Sequence, residues 1–302
     1  MSEFDRGLKN AKFIQQLADE GTKDSWWRDV LDDRELFVAV RDDYLNVYWR
    51  GHSLFRVEHG TSAPRATTHP KFLLDPELGE QVPLEEGKFK VGWLADHGFV
   101  SKYEGRETLE KMKKAADLFS QPEKTGCHEI ILANPQAIDC EIALPGNGGP
   151  GKGAPRADLL TLELDGDEVR LVFWEAKHFG NGDLRAQDEE DVRVCKQIAE
   201  YRDYLSEHRL AIEKSYKLVA KNLIAFDEMG WKRVLSPLIR EVADEKRKLT
   251  LGAEPKVGLI IFGFDKAQRD DPNWRDHHLA RLEKKVTRVV AAGDARNIHL
   301  KS

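Results

Sequence analysis

The first third of the chain alternates short apolar runs with polar turns. Its apolar runs, each bounded by polar or glycine-containing segments, lie at residues 36–40, 45–49 and 53–57. Such runs predict three short strands joined as a β-meander. Residues 60–90 are rich in proline, glycine and threonine and have no clear period, which predicts an irregular connection. We therefore expect residues 1–100 to form a small β-rich domain.

The rest of the chain shows helical periodicity and longer apolar strands. Apolar residues at spacings of three and four predict a helix over residues 106–120. Further apolar stretches predict strands at 138–144, 158–164, 169–174 and 257–262. A helical pattern over residues 191–250, interrupted near Gly230 and Pro237, precedes the last of them, and an amphipathic pattern over residues 278–292 predicts a closing helix. This order predicts an α/β fold with a mixed sheet.

The composition is that of a soluble globular protein. The chain has 302 residues and a mass of 34.4 kDa, with 40% hydrophobic and 33% charged residues. No apolar run approaches the roughly 18 residues of a membrane helix, and the first residues lack the apolar stretch of a secretory signal. We therefore expect a cytoplasmic protein without a membrane partner.

The charge and the cysteines limit the kinds of partner. The net charge is -6, so the chain does not resemble a basic protein that coats nucleic acid, and a nucleic-acid partner would need a local basic cleft. The cysteines lack the paired spacing of a zinc site or a disulfide framework, and we expect reduced, buried thiols at Cys127, Cys140 and Cys195.

A predicted hairpin brings two carboxylates together. Asp165 and Gly166 form a turn signal between two of the predicted strands, so these strands should pair antiparallel. If Leu164 faces Val169, Asp158 lies opposite Glu175. A register shifted by two leaves the two carboxylates diagonal but on the same face, because the side-chain period of a strand is two.

Lys177 lies two residues beyond Glu175 and should project to the same face, with Trp174 and Ala176 on the other. Burying such charges costs several kcal/mol per ion unless they are paired or bind a metal. Mg²⁺ prefers one or two carboxylates plus waters and phosphate oxygens, and Lys177 would then orient or deprotonate a water and offset charge on phosphorus. The alternative is an ordinary cross-strand salt bridge at a sheet edge.

The segment resembles the PD-(D/E)XK nuclease superfamily, whose signature is an acid early in one strand and Glu-x-Lys at the end of the next. Here Asp158 stands for the first half, two residues further from Pro155 than in the founding pattern, and Glu175-Ala176-Lys177 for the second. Downstream, Gln197 and Tyr201 lie one helical turn apart, a spacing similar to the glutamine and tyrosine motif of RecB-like nucleases.

This resemblance covers residues 105–205 and 255–292. It implies a restriction-endonuclease-like core over residues 101–302, with a central mixed sheet flanked by helices and a helical insertion over residues 206–252. It does not extend to the N-terminal β-rich domain.

The resemblance also implies a role for each site residue. Asp158 and Glu175 would bind Mg²⁺ or Mn²⁺, and the catalytic set would comprise Asp158, Glu175, Lys177, Gln197 and Tyr201. A further metal-binding acid is expected from the first core helix or strand. Glu141 is ranked first, because an acid inside a central strand is hard to explain as solvated, followed by Glu110 and Glu107.

The predicted function is a metal-dependent nuclease that hydrolyses phosphodiester bonds, with DNA favoured over RNA as the substrate. The alternative is a catalytically inactive nuclease-fold module for nucleic-acid binding or assembly. The three charges Asp158, Glu175 and Lys177 favour the enzyme, since a site without catalysis has no reason to retain them.

Overall fold

An α/β architecture is present in the computed structural model, in which a mixed sheet flanked by helices shares a core with an antiparallel sheet. The structure describes residues 4–75, 84–85, 87–89, 98–144, 155–185 and 192–302. The glycine-rich stretch at residues 145–153, which the sequence predicts to be a loop between two strands, lies outside them. No helix in these ranges is long and apolar enough to cross a lipid bilayer.

The N-terminal region begins with two helices, α1 (Ala11–Gly21) and α2 (Trp26–Asp32). Each begins at a polar N-cap: the Asn10 side chain accepts a hydrogen bond from the Lys12 N–H in α1, and the Ser25 side chain accepts one from the Arg28 N–H in α2. The antiparallel sheet follows in chain order: β1 (Phe37–Val40), β2 (Tyr44–Trp49), β3 (His52–Glu58) and β4 (Arg65–Thr67). The predicted β-meander is confirmed, with β4 as an additional edge strand.

The central sheet has the order β12-β11-β9-β8-β7, and β10 pairs with the beginning of β9. Its strands are β7 (Ala137–Ala143), β8 (Arg156–Asp165), β9 (Glu168–His178), β10 (Lys248–Thr250), β11 (Lys256–Phe262) and β12 (Val289–Ala292). Strands β7, β8 and β9 are antiparallel, whereas β10, β11 and β12 run parallel to β9 or to each other. A separate two-stranded ribbon joins β5 (Leu84–Glu85) to β6 (Lys88–Phe89).

The hairpin β8–β9 adopts the register in which Leu164 pairs with Val169. The turn lies one position later than predicted, because Asp165 still pairs with Glu168 and the chain reverses at Gly166 and Asp167. Gly166 has a φ of 61°, a left-handed conformation that glycine adopts without strain.

The helices around the central sheet are α3 (Arg106–Asp117), α4 (Pro122–Ala133), α5 (Arg193–Glu207), α6 (Arg209–Glu228), α7 (Pro237–Ala243), α8 (Lys266–Asp270) and α9 (Ala280–Lys285). Shorter helical segments occupy Pro70–Leu73, Gly182–Leu184, Trp274–Leu279 and Ala295–Asn297. The predicted helix at residues 106–120 is confirmed as α3, but the sequence did not indicate the separate helix α4.

Two predicted helical stretches end early. The pattern over residues 191–250 contains α5, α6 and α7, but its last residues form strand β10. The closing helix predicted over residues 278–292 stops at Lys285, and Val289–Ala292 form strand β12. In both cases a parallel neighbour in the sheet supplies backbone hydrogen bonds, which outweigh the local helical pattern.

The two faces of β9 pack against different layers. Val169, Leu171 and Phe173 belong to a core that includes α5 and α6, whereas Val172 and Trp174 pack with α4 and the C-terminal segment. The first core also contains buried residues of β1, β2 and β3, so it is continuous across residue 100.

The cysteines are all free thiols. Cys140 is buried, as predicted, whereas Cys127 and Cys195 are partly exposed. The prediction of buried thiols is therefore right for Cys140 alone.

Candidate functional site

The two predicted carboxylates meet at the open end of the β8–β9 hairpin. The last pair in register is Leu159 with Trp174, so Asp158 and Glu175 occupy the next positions on the two strands. The Asp158 Oδ2 atom accepts a hydrogen bond of 2.7 Å from the backbone N–H of Ala176. This bond fixes the Asp158 carboxylate against the end of β9.

Glu175 is the most buried acid of this group, with only 1% of its surface exposed. One carboxylate oxygen, Oε1, lies 2.6 Å from the Lys177 ammonium. The other, Oε2, lies 2.9 Å from the Tyr201 hydroxyl. The structure therefore brings Glu175 and Lys177 to one face of β9, as the strand period predicts.

Helix α5 brings Gln197 and Tyr201 to the same place. The Tyr201 hydroxyl lies within hydrogen-bond distance of both Glu175 and the carbonyl oxygen of Arg156, which is 2.6 Å away. The Gln197 side-chain amide donates to the Tyr201 oxygen at 2.5 Å. Because a hydroxyl has one proton, Tyr201 donates to one acceptor at a time while it accepts from Gln197. Helix α5 is thus linked to the first residue of β8 and to the acid on β9.

Glu123, at the first turn of α4, is a site residue that the sequence reasoning missed. Its Oε1 atom lies 3.9 Å from the Lys177 ammonium. Its Oε2 atom accepts hydrogen bonds from the backbone N–H of His178 at 3.2 Å and from the Asn181 amide at 2.7 Å. Pro122 at the start of α4 is a helix-start signal that would have placed Glu123 in a first helical turn.

Of the three candidate additional acids, Glu141 lies beside Asp158. It occupies the register position between the pairs Cys140–Leu159 and Ile142–Ala157, which is the position opposite Asp158. Its φ of 49° is unusual for a residue other than glycine, and its carboxylate pairs with Arg156 at 3.1 Å.

Glu110 and Glu107 lie on α3 and face other cations. Glu110 is 3.3 Å from Lys113, which also pairs with Asp33, and Glu107 is 3.8 Å from Lys111. Neither contact involves the hairpin carboxylates.

Burial and mutual repulsion control the ionisation of the two hairpin acids. Burial raises the pKa of Asp158, and the negative charge of Glu175 raises it further. Burial also raises the pKa of Glu175, against the opposing effect of Lys177. The pKa of Lys177 is itself raised, because the attraction of Glu175 outweighs the effect of burial. The lysine therefore carries a full positive charge in the metal-free protein.

No protein-family model, curated protein or solved structure matches the chain. The function has to be inferred from the site itself.

The donor set fits a hard divalent cation in part. In the described residues, no group of three or more His, Cys, Asp or Glu side chains is arranged to hold a metal ion. Two carboxylates, Asp158 and Glu175, nevertheless lie side by side with raised pKa values. Mg²⁺ is commonly bound by one or two carboxylates and several waters, so this pair satisfies its minimum protein requirement.

Proposed function

We propose that the chain is a metal-dependent nuclease that hydrolyses phosphodiester bonds, with DNA favoured over RNA as the substrate. The observation that carries the proposal is Glu175, a buried acid held between the Lys177 ammonium and the Tyr201 hydroxyl next to Asp158. Four side chains from two strands and one helix converge there. An ordinary salt bridge at a sheet edge would not require that Glu175 be buried, nor that Gln197 and Tyr201 of α5 lie against it.

In the proposed enzyme, Asp158 and Glu175 hold the cation. A bound Mg²⁺ or Mn²⁺ would supply a Lewis acid for the phosphate and a water of lowered pKa. Each carboxylate is already kept in place, Asp158 by the N–H of Ala176 and Glu175 by the Lys177 ammonium and the Tyr201 hydroxyl. Such fixed ligands favour binding because little side-chain entropy remains to be lost.

Lys177 acts as a positive charge rather than as a base. In the metal-free protein its raised pKa means that the ammonium keeps its proton at neutral pH. It would therefore hold and orient the attacking water and offset the negative charge that grows on the phosphate oxygens. Of the two roles considered for Lys177 from the sequence, the proposal therefore takes orientation of the water rather than its deprotonation.

Gln197 and Tyr201 position the acids. Burial raises the pKa of Tyr201, and the charge of Glu175 raises it further, so its hydroxyl remains a neutral donor. The 2.5 Å contact from Gln197 orients that hydroxyl, and neither side chain is a good ligand for a hard cation compared with a carboxylate.

A cleavage assay tests the proposal. The purified protein is incubated with linear and circular DNA, single- and double-stranded, and with RNA, in the presence of Mg²⁺ or Mn²⁺. We expect loss of DNA that EDTA stops, and loss of that activity in Glu175→Gln. The matched control is Glu168→Gln at the far end of β9, where Glu168 pairs with the exposed Lys248 at 2.8 Å. Intact substrates under every condition would contradict the enzyme and favour the binding module.

A further inference from the structure

A large cleft lies at the end of the central sheet opposite to the acidic site. It has a volume of about 740 Å³, within the range of small-molecule sites. Strand β10 pairs with the first residues of β9 and β11 pairs with the residues after them, and the floor of the cleft lies where the two strands meet. The connection between β10 and β11, through Ala253, Glu254 and Pro255, forms one wall. The residues just before β12, Thr287 and Arg288, and the second half of α5 form the other walls.

The cleft is lined by more cations than acids. Its cations come from five different parts of the fold: Arg170, Arg202, Lys256, Arg288 and Lys301. Its acids are Glu163 and Glu254, and Asp165 adds a third carboxylate within 3.6 Å of Lys256. Five positive and three negative charges leave an excess of two positive charges, in a protein whose net charge is -6.

Glu163 holds several of these cations in place. It is 4% exposed, forms an ion pair with Arg288, and lies 3.5 Å from Lys256 and 3.6 Å from Lys301. Burial alone would raise the pKa of Glu163, but the hydrogen bond from Arg288 outweighs it and the pKa is lowered. Because the single carboxylate of Glu163 is shared by three cations, each cation retains N–H donors that can bind a further anion.

Arg202 has a different role from the cations around Glu163. Its guanidinium reaches the Thr287 hydroxyl at 3.4 Å, a neutral partner on the opposite wall of the cleft. Because Thr287 is neutral, this contact does not compensate the charge of the Arg202 guanidinium. A planar guanidinium also suits the paired oxygens of a phosphate. Arg202 follows Tyr201 directly in α5, so one helix contributes to both ends of the sheet.

The walls of the cleft also offer apolar surface. Ala253 is exposed beside the cations, and Pro255 lies next to it in the lining. A site for inorganic phosphate alone would not need such surface, whereas a nucleotide requires cations for its phosphates and apolar contacts for its base. The chemistry of the lining therefore favours a ligand with both parts.

We propose that this cleft binds a nucleotide with at least two phosphates. The phosphates lie against Arg202, Arg288 and Lys301, and the base lies along the wall formed by Ala253 and Pro255. This site is separate from the carboxylates at the other end of the sheet, and it does not depend on the nuclease proposal.

Titration calorimetry on the full chain tests the site. Divalent cations are first removed with a chelating resin, which leaves the carboxylates without metal. The probes are ADP, pyrophosphate, orthophosphate and adenosine. We expect ADP to bind most tightly, pyrophosphate more weakly, and adenosine not measurably.

Substitutions then locate the binding. We expect Arg202→Ala to weaken ADP binding by about 10-fold, and the double variant Arg202→Ala with Lys301→Ala by about 100-fold, since each lost charged contact is worth about 1.4 kcal/mol or more. The matched control is Arg209→Ala, an exposed arginine at the start of α6 outside the cleft, which should bind ADP as wild type. Thermal unfolding without ligand shows whether each variant is folded.

Four results would overturn the proposal. They are the absence of ADP binding, equal affinity in the double variant and wild type, equal affinity for adenosine and ADP, and equal affinity for orthophosphate and ADP, which would indicate an ion site only. A single-stranded oligonucleotide that binds more tightly than ADP, and loses that affinity in the double variant, would assign the cleft to nucleic acid instead.

Discussion

The two ends of the β8–β9 hairpin differ in the balance of charge around their acids. At the open end, Asp158 and Glu175 lie together with Glu123 near a single lysine, Lys177. Near the turn, Glu163 lies among three cations. The same two strands thus present an excess of negative charge at one end and of positive charge at the other.

The ionisation of these acids follows the local balance rather than burial alone. Glu175 and Glu163 both expose little surface, at 1% and 4%, although Glu163 lies less deep in the protein. Yet the pKa of Glu175 is raised by burial, whereas the ion pair with Arg288 outweighs burial and lowers the pKa of Glu163. Burial sets the cost of a charge, and the neighbouring charges decide whether that cost is offset.

The difference indicates what each end would bind. An end where acids exceed cations gains free energy from a bound cation, and an end where cations exceed acids gains it from a bound anion. The proposed metal site and the proposed nucleotide site are these two cases on one sheet. Exchanging charges at either end therefore tests the comparison directly.

The largest expected effects concern the open end. Lys177→Ala removes the charge that offsets phosphate, so we expect cleavage to fall by about 10²- to 10⁴-fold. Because the substitution also removes a positive charge beside the two acids, Mn²⁺ affinity should persist or increase. Asp158→Asn instead removes a ligand charge, so both Mn²⁺ affinity and cleavage should fall. Calorimetry with Mn²⁺ and a cleavage assay measure the two quantities.

Lys248→Ala is the matched control for this pair, because Lys248 is an exposed lysine on the same sheet. It should cleave and bind Mn²⁺ as wild type. A loss of Mn²⁺ affinity in Lys177→Ala as complete as in Asp158→Asn would show that the lysine supports the metal site itself. Normal cleavage by either variant would remove its residue from the mechanism.

Smaller effects of opposite sign are expected in the stability of the metal-free protein. Asp158→Asn relieves the repulsion with Glu175 and keeps an acceptor for the Ala176 N–H, so the free energy of unfolding should rise on the order of 1 kcal/mol. Glu163→Gln leaves three cations without their shared counter-charge, so the free energy of unfolding should fall by about 1 to 2 kcal/mol. Urea unfolding without divalent cations measures both.

Glu168→Gln, at the exposed end of β9, should change the free energy of unfolding by less than about 0.5 kcal/mol. If Asp158→Asn and Glu163→Gln were destabilised equally, the two ends would not differ in the way the charges indicate.

Much of this geometry could be predicted from the sequence because it depends on local rules. The alternation along β9 places Glu175 and Lys177 on one face, and the helical period of α5 places Gln197 one turn from Tyr201. The meander of β1, β2 and β3 followed from short apolar runs and turns. The α/β class with a mixed sheet flanked by helices was correct for the same reason.

The rest depends on contacts that are distant in the chain. Strand β12 was taken for a helix because its pairing with β11 is not visible in the local pattern. Glu123 was missed because it lies 54 residues before Lys177 and reaches it only through the packing of α4. The cationic cleft joins residues from position 163 to position 301, and no spacing rule connects them.

The smallest expected effect is the pH dependence of the two stability differences. The pKa of Asp158 in the folded state lies above the 3.8 of an unperturbed aspartate. Ionised Asp158 therefore destabilises the fold at neutral pH, and this penalty declines as the pH falls through the folded pKa and vanishes below about 3.8. The excess in the free energy of unfolding of Asp158→Asn over wild type should decline over the same pH range.

Glu163 behaves in the opposite way, because its folded pKa lies below the usual 4.5. Its contribution to stability is complete above pH 4.5 and is lost as the pH falls through the folded pKa. The disadvantage of Glu163→Gln should therefore persist at pH 5 and decline only below about pH 4.5. Urea unfolding of wild type and both variants over a pH series follows each acid together with the groups that interact with it, since the contributions of all other titrating groups cancel in the differences. A Glu163→Gln difference that already declines above about pH 4.5, or an Asp158→Asn difference that is still complete at about pH 3.8, would contradict the opposite shifts on which the comparison rests.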